Sequence, residues 1–376
     1  MENKINKEIN QCNPYERSVG GSLFRIYATE AQIKYVDRVL EGSRDVVESN
    51  TQEAIEVVCT DNTGLSEEIL NKSLQPTDSS ASLIAGEIEG GRFVSLKGVF
   101  MDILISKTDN TPLAHISISQ NPEYGAITFI KSYLLNKYVN QQEALVFHAG
   151  SMMSLDKASS FVISALNHHI NNGDNSGKTT AILASCAREN ANFAYSSNDE
   201  VILSFLDNAS EVKTLPFPSQ ITIRGKSLET LQADGVNFKL EDWNGVDSIT
   251  GQSVSVITPR GVIEAGYQVL PLNPSKIDWC FIEIDLSMTN YSCVEADPQT
   301  SLQLFRGSVS KRRMNQALNP LFLGETTSAQ TYNPIVYQPK IDEIFNQLVS
   351  SGTKFYILRG GADRDKINEI FTRLKR

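Results

Sequence analysis

The sequence predicts an α/β protein, with an α/β core over residues 143–376 and a smaller, mainly β lobe over 20–142. Three observations predict it. From 143 to 206 the text runs strand, strand, glycine-rich loop, helix former, strand, strand, an order found in α/β nucleotide-binding units. From 91 to 130, short apolar and polar residues alternate as they do in paired strands. At roughly 100–200 residues per domain, a chain of 376 residues suggests two domains, or one with an appended lobe.

Residues 1–19 are polar and read as a flexible tail. SLFRIYA, from Ser22, is a first strand, and TEAQIKYVDRVLEGS follows with Ile33, Val36, Val39 and Leu40 at helical spacing. EAIEVVCT (53–60) is a strand, and the Pro/Ser-rich stretch 74–82 is a linker or exposed loop. The runs 91–106, 113–120 and 125–130 suit strands of a mixed or antiparallel sheet.

In the core, EALVFHAG (143–150) is an apolar strand ending in a small-residue turn, and SSFVISALN (159–167) is a second buried strand. KTTAILASCAREN (178–190) is a helix with Ile182, Leu183, Cys186 and Ala187 on one face. FAYSS and EVILSFL are short strands flanking Asn198 and Asp199. The strands ITIRG, SVSVITP and WCFIEIDL, a helix at DEIFNQLVSS and the strand KFYILRG follow. DKINEIFTRLKR closes the chain as a helix with its basic residues last, which suits the helix dipole.

Composition narrows the function. There are 34 basic and 44 acidic side chains, and 34 − 44 gives −10. That balance disfavours nucleic acid as a partner, because phosphate contacts need a basic field. No run of about 18 apolar residues predicts a membrane span, and the N-terminus has no secretory pattern. Five scattered cysteines without a CxxC pair read as reduced thiols in a cytoplasmic protein, and four histidines argue against a His-rich metal centre.

The loop GDNSGKTT (173–180) carries the chemistry. An anion-cradling loop needs inward-turned backbone N–H groups, hence residues that tolerate unusual dihedrals. Gly173, Asp174, Asn175, Ser176 and Gly177 would form the cradle, with Lys178 reaching the β- and γ-phosphates. Thr179 would offer its hydroxyl to Mg²⁺, and with Thr180 it opens a helix whose positive end faces the phosphates. The pattern GxxxxGK[ST] is met with Asn172 in place of its first glycine. A Gly/Asn turn with a surface lysine is the alternative. Asp199 lies 21 residues beyond Lys178 at a strand end, where a carboxylate can bind Mg²⁺ through water or accept a hydroxyl proton. The alternative there is an ordinary Asn-Asp turn. His148 would orient the acid or a phosphate, or be a satisfied structural histidine.

These pieces, FHAG (147–150), GDNSGKTT and SNDEVIL (197–203), resemble the HPr kinase/phosphorylase-like kinases, a branch related to phosphoenolpyruvate carboxykinase. The resemblance covers roughly 143–370. It implies a P-loop kinase core of that type, with Lys178 and Thr179 on the nucleotide and Mg²⁺ and Asp199 as proton acceptor. It also implies His148 as support for that acid and Arg224, in ITIRG, near the transferred phosphoryl. Asn198 stands where the family has a first aspartate, and Thr222 where the bifunctional enzymes have a metal-binding glutamate. The 30 residues from His148 to Lys178 form a longer insertion than the family's, expected as a loop at MMSLDKASS. These departures favour a divergent kinase over an HPr-directed regulator.

Elsewhere, Lys311, Arg312 and Arg313 read as a solvated helix face, with a clamp on an anionic acceptor as the alternative. Arg359, before Gly360 and Gly361, is a rim residue or part of a tight turn. Glu283 and Asp285 are expected to face solvent. The expected function is transfer of the γ-phosphoryl of ATP, or of another donor such as GTP or pyrophosphate, to a hydroxyl. The acceptor would be a small metabolite or a peptide serine. A nucleoside-triphosphate hydrolase or nucleotide-sensing switch, and a non-catalytic nucleotide-binding scaffold, are the alternatives. A homo-oligomer is compatible with the sequence.

Overall fold

Two consecutive glycines at positive φ, Gly20 (58°) and Gly21 (67°), turn the chain back on itself near its start. A two-residue hairpin of this kind needs φ > 0 at both central positions, which side chains rarely adopt. β1 (Pro14–Val19) and β2 (Ser22–Tyr27) therefore pair antiparallel, with Val19 opposite Ser22. The tail expected over 1–19 is thus a strand from Pro14 onward. The computed structural model describes residues 14–41, 54–60, 74–79, 83–88, 91–96, 100–105, 114–118, 122–156, 159–166, 177–186, 192–205, 211–215, 217–218, 220–224, 228–229, 232, 238, 244–246, 253–270, 277–284, 288–318, 332–361 and 363–375.

The protein is mixed α/β and divides into two units. The first comprises Met1–Leu40, Arg44–Asn140 and Asn315–Thr331, and the second Glu41–Ser43, Gln141–Met314 and Tyr332–Arg376.

In the first unit, α1 (Glu30–Leu40) crosses from β2 to the parallel strand β3 (Ile55–Thr60). β4 (Leu74–Ser79), β5 (Leu83–Ile88), β6 (Gly91–Leu96), β7 (Phe100–Ile105) and β8 (Ala114–Ile118) form an antiparallel meander. β8 lies parallel to β3, which completes an eight-stranded sheet in the order β1-β2-β3-β8-β7-β6-β5-β4. The stretch expected as a linker at 74–82 thus supplies an edge strand. Pro76 lies within the shift of register between Leu74 and Asp78, where its missing N–H costs little.

Residues 125–130, expected as a strand, belong to the helix α2 (Pro122–Asn136), which runs into a π-helical turn at Lys137–Gln141. Ala126, Ile127, Phe129, Ile130, Leu134 and Leu135 are all buried along it. Burial nearly all round removes the amphipathic signal, and Pro122 at the first position presets φ for a helix. Lys137 Nζ closes the hairpin turn from outside by donating to the carbonyls of Gly20 (3.0 Å) and Gly21 (3.1 Å).

The second unit opens with β9 (Leu145–Phe147), β10 (Ala149–Ser154) and β11 (Ser160–Ala165). The strand expected over 143–150 is broken at His148, so β9 and β10 join different sheets. The loop expected at MMSLDKASS is largely the β10–β11 hairpin, in which Met152 pairs with Phe161. α3 (Lys178–Cys186), β12 (Phe193–Ser197), β13 (Val201–Phe205) and β14 (Val212–Thr214) come next. β15 (Ile221–Arg224), β16 (Asn244–Val246) and β17 (Ser253–Ile257) form a small antiparallel sheet ahead of α4 (Pro259–Glu264). Then follow β18 (Ile277–Ile284), β19 (Ser292–Glu295), α5 (Pro298–Gly307) and α6 (Lys311–Leu318). α7 (Pro334–Ser350), β20 (Phe355–Gly360) and α8 (Arg364–Leu374) end the unit.

Six strands in the order β12-β10-β11-β18-β20-β19 make its main sheet. β11, β18 and β20 are mutually parallel, and β10 runs antiparallel to both β11 and β12. Side chains that alternate along β18 serve two cores. Cys280 and Ile282 join Phe161, Ile182, Leu183 and Phe371 in one apolar cluster. Trp279 meets Phe147 at 5.2 Å and Phe305 at 4.8 Å between ring centroids, and its indole N–H donates to Ser164 Oγ at 3.0 Å. Among the described residues, no helix is long and apolar enough to cross a membrane.

Candidate functional site

The strand directions bring particular chain ends to one edge of the main sheet. The C-termini of β11, β12, β18 and β20 and the N-terminus of β10 all point there. Open α/β sheets bind ligands outside the carboxyl ends of their strands.

Gly177 opens α3 at this edge. Its φ is 77°, and its carbonyl accepts the first helical bond, from Ala181 N–H at 2.8 Å. A Cβ on Gly177 would fall 2.3 Å from Ile284 Cβ, so glycine is demanded by both conformation and space. The amides of the next residues belong to the first helical turn, whose N–H groups have no intrahelical acceptor. Lys178 stands in that turn with 5 % of its surface exposed. A cation at a helix N-terminus opposes the macrodipole, whereas an anion there is favoured.

Thr179 Oγ1 donates to Asn198 Oδ1 at 3.0 Å, tying α3 to the turn that follows β12. Asp199 in this turn holds φ at 66°, a left-handed conformation that Asp and Asn tolerate better than most side chains. The turn is tight, since Glu200 N–H bonds to Asn198 carbonyl at 2.9 Å. His148 Nε2 lies 3.8 Å from Asp199 Oδ1, close enough for ion pairing and too long for a direct hydrogen bond. Both side chains reach solvent, at 23 % and 36 % exposure. Beneath them, Ser151 and Ser197 share a buried hydroxyl–hydroxyl bond of 2.7 Å. Gly150 leaves room for Ile182, whose Cδ1 would lie 2.3 Å from an added Cβ.

Lys178, Thr179, Asn198, Asp199 and His148 thus share one edge, and Thr180 continues the buried helix behind them. Gly173, Asp174, Asn175 and Ser176 lie outside the described residues, as does Asp285. Arg224 ends β15 opposite Val254, on the separate three-stranded sheet. Among the described residues, no group of three or more His, Cys, Asp or Glu side chains could hold a metal ion.

The rim differs in part from the reading of its sequence. Arg359 Nε donates to Glu283 Oε2 at 3.1 Å in an exposed cross-strand pair, so Glu283 stands on the solvent side as expected and has a partner there. The two glycines after Arg359 admit the chain's own atoms. A Cβ on Gly360 would meet Tyr291 Cδ1 at 2.3 Å, and one on Gly361 would meet the Met288 carbonyl oxygen at 2.2 Å. The basic run also splits: Lys311 and Arg312 are exposed, whereas Arg313 pairs with the buried Glu200. Nothing in sequence spacing announces that pair, because its members stand 113 residues apart.

Comparison with protein-family models and with curated proteins yields no match.

Proposed function

We propose that this protein is a divergent kinase of the HPr kinase/carboxykinase-like type, transferring the γ-phosphoryl of a nucleoside triphosphate to an acceptor hydroxyl. The observation that carries the reading is the Thr179–Asn198 hydrogen bond of 3.0 Å. It joins the first turn of α3, suited to a polyphosphate, to the turn that bears a carboxylate and faces an imidazole.

The phosphates would meet the amides and dipole of α3 and the Lys178 ammonium. Mg²⁺ favours oxygen ligands, one or two carboxylates, and phosphates and water for the rest. The Thr179 hydroxyl and the Asp199 carboxylate fit that demand. When bound, the ion would neutralise charge on the phosphate oxygens. Asp199 accepts the proton as the acceptor oxygen bonds to γ-phosphorus and the bond to the β-bridging oxygen breaks, leaving a nucleoside diphosphate. His148 orients the carboxylate. Arg224 would neutralise charge on the transferred group, a role supported by the family resemblance alone. Positioning and electrostatics supply most of the acceleration in such reactions.

The test is to incubate the protein with γ-labelled ATP, Mg²⁺ and a mixture of hydroxylated metabolites and serine peptides. Label appearing on one species supports the reading. Label appearing only as inorganic phosphate points to a hydrolase or switch, and nucleotide binding without loss of label points to a scaffold.

A further inference from the structure

Glu200, the residue after Asp199, is a carboxylate with only 4 % of its surface exposed. Burying such a group is costly unless it is paired and hydrogen-bonded. Its partner is Arg313, whose Nε donates to Glu200 Oε1 at 2.6 Å while a terminal nitrogen of the same guanidinium contacts that oxygen. Arg313 lies in the first turn of α6, and the residues before it are themselves fixed to the site. His148 N–H donates to the Ser308 carbonyl at 2.8 Å, and Ser310 N–H donates to the Val146 carbonyl at 2.8 Å. Val309 forms an antiparallel bridge with Phe147. One short segment, 308–313, thus holds the backbone of His148 and the side chain next to Asp199.

We propose that Arg313 and Glu200 form a positioning pair that holds the Asn198–Asp199 turn against His148, so that the Asp199 carboxylate points at the acceptor. The inference rests on the reading of Asp199 as proton acceptor. Neither member of the pair need touch substrate. The pair acts by fixing the left-handed residue between Asn198 and Glu200, a conformation the backbone would otherwise leave readily. Arg serves here because two nitrogens of one rigid guanidinium reach the same carboxylate oxygen, a fixed geometry that a lysine ammonium lacks.

The test uses the full chain with ¹⁵N-labelled histidine, the His148 imidazole signals being assigned with His148→Gln. In Arg313→Met the signals should move to the positions they take in Asp199→Asn, and the double variant should show no further change. Arg313→Lys should return them part of the way to the wild-type positions. Turnover in Arg313→Met should fall by about 10²-fold, the usual consequence of a small misplacement, with KM for nucleotide unchanged. Removing one member leaves a buried charge and can unfold the chain. Glu200→Gln/Arg313→Met avoids that charge and should give the same signal shift. His148 signals at wild-type positions in folded Arg313→Met or in the paired variant would overturn the proposal. If the wild-type protein transfers no phosphoryl yet the signals respond as described, the positioning pair stands and the kinase reading falls.

Discussion

Gly177 and Ile284 approach so closely that a methyl group on the first would lie 2.3 Å from the Cβ of the second. The contact seats the start of α3 on the carboxyl end of β18, with Gly177 at a φ of 77°. Gly177→Ala should therefore lose about 1–3 kcal/mol of stability from backbone strain alone. It should also weaken nucleotide binding, because the first helical turn must shift. Urea unfolding and nucleotide titration on the same variant check both outcomes.

Asp199→Asn keeps the shape of the turn and removes the carboxylate proposed to accept the proton. Turnover should fall by about 10²-fold or more, with nucleotide affinity little changed. Equal turnover would remove the assigned role, and equal loss in affinity would make Asp199 a binding residue.

Trp279 is fully buried among Phe147, Phe281 and Phe305 and donates its indole N–H to Ser164. Trp279→Ala should cost about 3–5 kcal/mol, while Trp279→Phe should cost less and leave the Ser164 hydroxyl without its donor. The ordering of the two variants in chemical denaturation is the measurement.

Burial pushes the Tyr356 phenol up to about 12, helped by the nearby Asp278 and Glu295, and burial with Tyr337 takes Tyr332 up to about 12. A free phenol ionises near pH 10, so between about 10 and 12 the unfolded chain has released protons that the folded protein still binds. Stability should be intact below that window and fall as pH rises through it. Tyr356→Phe should flatten the fall, as followed by thermal unfolding at a series of alkaline pH values.

The sequence made the second unit more legible than the first. The strand Ser160–Ala165 and the helix from Lys178 stand out because each is a short run of apolar and small residues that the fold buries. In the first unit, the signals that decide the structure lie outside simple periodicity. Pro14–Val19 becomes a strand through the Gly20-Gly21 turn. Pro76 enters a strand because an edge and an irregular register tolerate its missing N–H. Ile127 to Leu135 form a helix although β-branched and aromatic residues are frequent there, because tertiary burial outweighs local propensity. At the candidate site, Asp199 and His148 could be named from strand ends, but the Arg313–Glu200 pair arises only when α6 is brought beside β9 and β13.

The first turn of α3 as a polyphosphate site is the premise on which the rest depends. A crystal structure with Mg²⁺ and a non-hydrolysable ATP analogue tests it most directly. Phosphate oxygens should lie against the amides that follow Gly177, within hydrogen-bonding reach of Lys178 Nζ. Nucleotide bound at another face of the protein, or absent at saturating concentration, would contradict it.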